Sequence, residues 1–216
     1  MTTLEWVRKY RLIAIVRGQR PEAMLALSDA LYKGGFRMME ITFAQNKPET
    51  WKDTAGAISA VSKHMGDKMR IGAGTVLTEE QLMLARDAGA EYIITPNTSP
   101  ALIRKVKETG LLSFPGAMTP SEIVSAFDAG ADIVKVFPAG NLGPAYIKAV
   151  RAPLSHIPLM AVGGVNEKNA ADFIAAGCCG LGIGGNLVNA EWISAGQWDK
   201  ITALAAEYVK AVPPLC

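Results

Sequence analysis

Eight short apolar runs recur along the chain, each separated from the next by a longer amphipathic stretch. They are Leu12 to Val16, Met38 to Phe43, Arg70 to Val76, Tyr92 to Thr95, Leu112 to Pro115, Asp132 to Phe137, Leu159 to Val162 and Gly180 to Ile183. Two strand-like runs never follow each other directly, and neither do two long helical stretches. That order indicates parallel β/α units, because a parallel neighbour is reached only through a crossover, usually a helix. The helices are expected to begin near Pro21, Pro48, Thr78, Pro100, Pro120 and Pro144, residues suited to a first helical turn. They are expected to stop at Gly34, Gly66, Gly89, Gly110, Gly130 and Gly177, where a left-handed cap costs a glycine little.

The runs are apolar on both faces, as strands are when one face lines a barrel and the other meets a ring of helices. An open doubly wound sheet shares this rhythm but asks for a glycine-rich turn after its first strand, and Arg17-Gly18-Gln19-Arg20 is not one. The expected architecture is therefore α/β, a single (β/α)8 TIM barrel filling residues 1–216 as one domain. A short N-terminal helix is expected in the charged amphipathic stretch from Met1 to Arg11. A length of 216 residues suits one such domain and is tight for two.

Composition narrows the function classes. Half the residues are hydrophobic and 19% are charged, which suits a packed core. The formal charge is +2 and no Lys/Arg run is long enough to track a polyanion, so no nucleic acid is expected. The apolar runs are far too short to span a membrane, and the start lacks the apolar core of a secretory signal. Cys178, Cys179 and Cys216 do not form a disulfide framework, which fits a reducing cytoplasm. His64 and His156 belong to no cluster with metal-ligand spacing, so neither a metal nor a cofactor is expected.

In β/α barrels the reacting groups come from the C-terminal ends of the strands. Those ends supply Arg17, Glu40 with Thr42, Thr75, Pro96 with Asn97, Lys135, Gly163 with Gly164, and Gly184 to Asn186. Lys135 is flanked by Val134 and Val136 in the sixth run. An amine removed from water loses basicity, and its neutral form attacks a ketone to give a Schiff base. Glu40 would share the barrel mouth if its parity matches that of Lys135, and a carboxylate there can shuttle protons. The competing reading joins the two as a structural salt bridge. Arg17 suits a carboxylate, against the alternative of a solvated rim charge, and Thr75 can add a hydroxyl donor. The glycine pairs Gly163-Gly164 and Gly184-Gly185 expose backbone N–H groups that suit phosphate, although such pairs also make tight turns.

These residues fall into motifs: Ile13-Ala-Ile-Val-Arg-Gly18, Met39-Glu-Ile-Thr42, Ile71-Gly-Ala-Gly-Thr-Val76, Pro115-Gly-Ala-Met-Thr-Pro120, Val134-Lys-Val-Phe-Pro138 and Gly182-Ile-Gly-Gly185. In order and spacing, along nearly the whole chain, the sequence resembles the bacterial 2-keto-3-deoxy-6-phosphogluconate / 4-hydroxy-2-oxoglutarate aldolases. The resemblance implies a metal-free class I aldolase, with Lys135 forming the Schiff base and Glu40 as general acid/base. Arg17, Thr75 and Pro96 would surround pyruvate, Phe137 would pack beside it, and Gly163, Gly164, Gly184, Gly185 and Asn186 would bind toward the phosphate. It also implies a homotrimer.

Two departures from the family pattern bear on substrate. Ala44 stands where some members carry a carboxylate-binding Arg, so Arg17 must supply that charge. Val162 stands where several gluconate-type members have Thr, and Asn186 where some have Ser. With Thr95-Pro96-Asn97, Val162 is similar to the 2-keto-3-deoxy-6-phosphogalactonate aldolases, whose substrate differs in one hydroxyl configuration. The expected reaction is cleavage of 2-keto-3-deoxy-6-phosphogluconate to pyruvate and glyceraldehyde 3-phosphate, possible also on 4-hydroxy-2-oxoglutarate with glyoxylate as second product. The galactonate epimer is the first alternative. A phosphosugar isomerase or epimerase on the same barrel and a non-catalytic binding barrel are the others.

Overall fold

The computed structural model describes residues 1–19 and 21–215; Arg20 and Cys216 lie outside the described residues. Among the described residues nine strands form one all-parallel sheet: β1 (Leu12–Val16), β2 (Met38–Thr42), β3 (Arg70–Gly74), β4 (Tyr92–Ile94), β5 (Leu112–Phe114), β6 (Gly116–Ala117), β7 (Val134–Val136), β8 (Leu159–Val162) and β9 (Gly180–Ile183). Their order is β5-β4-β3-β2-β1-β9-β8-β7-β6. The two ends of that order, β5 and β6, are the fifth apolar run and its continuation beyond Pro115. Before Pro115 the run pairs with β4, and after it with β7. The sheet is thus a (β/α)8 barrel whose closure passes through one strand changing partners, and Pro115 has no N–H to give a ladder.

Alternation along each strand separates two cores. Ile13, Ile15, Met38, Tyr92, Ile94, Phe114, Ile133, Met160 and Val162 fill the barrel. Their strand neighbours Ala14, Met39, Ile71, Ile93, Val134, Leu159 and Leu181 pack outward against helices in a larger cluster. Both faces being apolar follows directly. The N-terminal helix Thr3–Tyr10 places Trp6 and Val7 with the interior cluster and so closes the N-terminal end of the barrel. Its capping box, Thr2 with Glu5, fixes where it starts.

Most helix boundaries follow the punctuation. Thr78 and Thr119 close capping boxes with Gln81 and Glu122, and Ser99 caps the helix whose first residue is Pro100. Gly66, Gly89, Gly110, Gly130 and Gly177 have positive φ. Two expectations are corrected. At the end of helix Pro21–Lys33 the left-handed residue is Gly35 (φ 99°), not Gly34. Gly34 is instead required by close approach, since a Cβ there would lie 2.4 Å from that of Ala205. The helix expected to begin near Pro144 begins at Ala139 and breaks at Gly143, so that Pro144 opens its second part. No described helix is long and apolar enough to cross a membrane.

Candidate active site

The interior face of the barrel becomes polar toward the C-terminal ends. Glu40 follows Met38 on the inner face of β2, and Lys135 follows Ile133 on that of β7, so the parity condition is met. Glu40 is 1% exposed and Lys135 7%. Strand packing makes room for the acid with a glycine: a Cβ on Gly74, the next strand's residue on that side, would lie 1.6 Å from Glu40 Oε1. Below it, Gly72 gives way to the ring of Tyr92, which stacks on Phe114 and donates its hydroxyl to the Met39 carbonyl at 2.8 Å. The acid therefore rests on an aromatic floor.

Above this floor opens a cavity of about 460 Å³. It is lined by Arg17, Glu40, Thr75, Pro96, Lys135, Phe137, Gly163, Gly164, Gly184, Gly185 and Asn186, whereas Thr42 and Asn97, from the same strand ends, are not among its lining residues. Gln19, Val162, Val165, Val188 and Ala190 also line it. Of these, Gln19 is the polar group that sequence reasoning passed over as loop. A larger open groove of about 820 Å³ lies among the outer helices, lined by residues such as Arg104, Ser121 and Asp128. It is away from the strand ends and holds no lysine among its lining residues.

Burial dominates the electrostatics. Removal from water pushes the Glu40 carboxyl up, against the opposing pull of Lys135 and, more weakly, Arg17. Burial likewise pulls the Lys135 amine down, while Glu40 raises it and Arg17 lowers it. In each group burial works against the charged form. Among the described residues the two make no ion pair, which goes against a structural salt bridge. Glu40 Oε2 and Thr42 Oγ1 are buried without a hydrogen-bond partner. The Lys135 amine sits 4.9 Å from the ring centroid of Phe137, which is 37% exposed at the mouth.

Loop geometry sets the rim. Thr75 has φ 54°, the left-handed region that a β-branched residue rarely adopts. Pro96 is held by a tight loop in which Thr95 Oγ1 donates to the Asn97 carbonyl and Thr98 Oγ1 to that of Gly116. A Cβ on Gly116 would reach within 2.4 Å of the Pro96 carbonyl group, so only glycine allows this approach. Gly163 and Gly164 both have positive φ, and Gly140 packs on them, its N–H donating to the Gly163 carbonyl at 2.7 Å. Arg17 is exposed at the end of β1, and its carbonyl accepts from Gln19 Nε2. Cys178 and Cys179 are elsewhere: Cys178 is buried before β9, with its thiol pushed up to about 12, and Cys179 up to about 11, both by burial.

The family model for "KDPG and KHG aldolase" matches residues 4–204. A 2-dehydro-3-deoxy-6-phosphogalactonate aldolase of Escherichia coli (strain K12) is 41% identical over 96% of this chain and 97% of its own. A 2-dehydro-3-deoxy-phosphogluconate aldolase of Treponema pallidum (strain Nichols) is 33% identical over 98% of each. Among solved structures, a KDPG aldolase from Legionella pneumophila, with pyruvate captured at low pH as a covalent carbinolamine intermediate, superposes with a TM-score of 0.84. It is 26% identical and covers 95% of this chain and 97% of that one.

Proposed function

Since the chain belongs to the KDPG and KHG aldolase family, and is accordingly a carbon–carbon lyase, we propose that it cleaves a 2-keto-3-deoxy-6-phospho sugar acid through an imine on Lys135. The observation that carries this reading is the pairing of two nearly waterless groups, the Lys135 amine and the Glu40 carboxyl, at the floor of one cavity. The neutral amine attacks the C2 ketone, and Glu40 gives the proton with which the carbinolamine hydroxyl leaves as water. Glu40, now a carboxylate, takes the proton of the C4 hydroxyl. The C3–C4 electron pair flows into the iminium, glyceraldehyde 3-phosphate departs, and the enamine is protonated at C3 and hydrolysed to pyruvate. The carbinolamine in the Legionella relative is the first intermediate of this route.

In this reading Arg17 and Thr75 hold the pyruvate carboxylate, and Pro96 and Phe137 form the walls beside it. The backbone N–H groups of Gly163-Gly164 and Gly184-Gly185, with Asn186, receive the phosphate. Arg17 supplies the positive charge of this pair, because Ala44 carries none.

The galactonate epimer is the favoured substrate. Gluconate and galactonate acids differ at C4, the carbon whose hydroxyl Glu40 must reach. The β8 wall there is hydrocarbon: Val162 is 3% exposed and lines the cavity beside Val165. The Escherichia coli phosphogalactonate relative is also the more similar of the two, at 41% against 33%. Pyruvate release, coupled to lactate dehydrogenase, tests this with both phosphorylated epimers and with 4-hydroxy-2-oxoglutarate. A higher kcat/KM on the galactonate epimer is expected, and a preference for the gluconate epimer would reverse the assignment. The remaining expectations are a single domain acting as a homotrimer in the cytoplasm; light scattering of the purified protein at one-subunit mass would dismiss the trimer.

A further inference from the structure

Thr75 sits in a conformation that its own side chain disfavours, and the ladder of β3 ends one residue earlier, at Gly74. Its carbonyl is taken instead by a side chain, Gln45 Nε2 at 2.5 Å. Gln45 comes from the loop after β2, anchored where Trp51 Nε1 donates to the Ala44 carbonyl at 2.9 Å. Its other amide atom, Oε1, accepts from Gln81 Nε2 at 3.1 Å. Gln81 is fully buried, and its Oε1 accepts the backbone N–H of Leu77 at 2.7 Å and of Thr78 at 3.3 Å.

The polarity of this chain is determined at both ends. Two N–H groups can only donate, so the Gln81 oxygen must face them and its amine must face Gln45. The Thr75 carbonyl can only accept, so the Gln45 amine must face Thr75. We infer that Gln45 and Gln81 are positioning residues, a directional amide relay that holds Thr75 left-handed and so turns its hydroxyl into the cavity. This rests on the reading that Thr75 binds the pyruvate carboxylate. Gln81 also closes the capping box of its own helix with Thr78, and neither glutamine lines the cavity.

Isosteric changes test the relay without changing its volume. Gln45→Glu still accepts from Gln81 but turns an oxygen toward the Thr75 carbonyl. Gln81→Glu still accepts from Leu77 and Thr78 but turns an oxygen toward Gln45. The readout is the pyruvate concentration giving half-maximal borohydride trapping on Lys135. Each variant should raise it roughly five- to tenfold, the factor one neutral hydrogen bond carries, with the plateau of trapping unchanged. Thr75→Val should raise it similarly, and adding Gln45→Glu to Thr75→Val should change nothing further.

If Gln45→Glu acts equally in the Thr75→Val background, or leaves half-saturation unchanged where Thr75→Val raises it, the relay is wrong. If Thr75→Val itself changes nothing, the carboxylate role of Thr75 fails and the relay with it. Thermal unfolding of each variant identifies misfolding; should Gln45→Glu not fold, Gln81→Glu carries the same comparison.

Discussion

Gly74→Ala would displace the acid from its seat. The added Cβ would lie 1.6 Å from Glu40 Oε1, 2.4 Å from Cδ and 2.6 Å from Cγ, so three atoms of one side chain must move. The Tyr92 ring beside Gly72 fills the neighbouring interior position, so the carboxyl can give way only into the cavity, out of its seat. Overpacking of this kind costs about 1–3 kcal/mol. For a domain of this size that lowers Tm by about 2–12 °C. Activity should suffer more, since loss of a placed general acid/base costs roughly 10²- to 10⁴-fold in kcat. Pyruvate release and differential scanning calorimetry measure the two effects. The clash can also be relieved: in a Glu40→Ala background, Gly74→Ala should add less than about 1 kcal/mol, because the atoms it meets are gone. A Gly74→Ala protein with undiminished kcat, or a stability cost unchanged by Glu40→Ala, would refute the idea that a missing side chain makes the acid's seat.

Two further outcomes follow from the same coordinates. Gly56 is an exposed residue inside helix Trp51–Met65 with open space around its missing Cβ, so Gly56→Ala should stabilise the protein by about 0.5–1 kcal/mol in urea unfolding. The pH profile of pyruvate-dependent trapping should reach half-maximum below the ordinary lysine range. Because Glu40 raises the Lys135 amine and Arg17 lowers it, Glu40→Gln should shift that midpoint to lower pH and Arg17→Met to higher pH; shifts of the opposite sign would contradict the charge arrangement.

The barrel was legible because burial on both faces leaves continuous apolar runs, and because six of its turns carry proline or glycine where backbone geometry requires them. The partner change at Pro115 was not, since a run of apolar residues does not say which neighbour each half joins. Lys135 and Glu40 stood out as charges inside such runs, and their common parity put them in one cavity. Gln45, Gly140 and the link from Gln81 to Gln45 were invisible for a different reason. Each acts through a contact between segments distant in sequence, and no local pattern marks a glutamine whose partner is a carbonyl thirty residues away. Gly72, Gly74 and Gly116 belonged to recognisable motifs, but the bulk each one accommodates is on a different strand or loop.

The proposed cleavage requires the amine of Lys135 as its nucleophile. Incubation with pyruvate and sodium borohydride, followed by peptide mass spectrometry, should find one reduced pyruvate adduct on Lys135 in the native protein and none in Lys135→Met. A native protein that emerges unmodified, or an adduct carried on any other lysine, would contradict it.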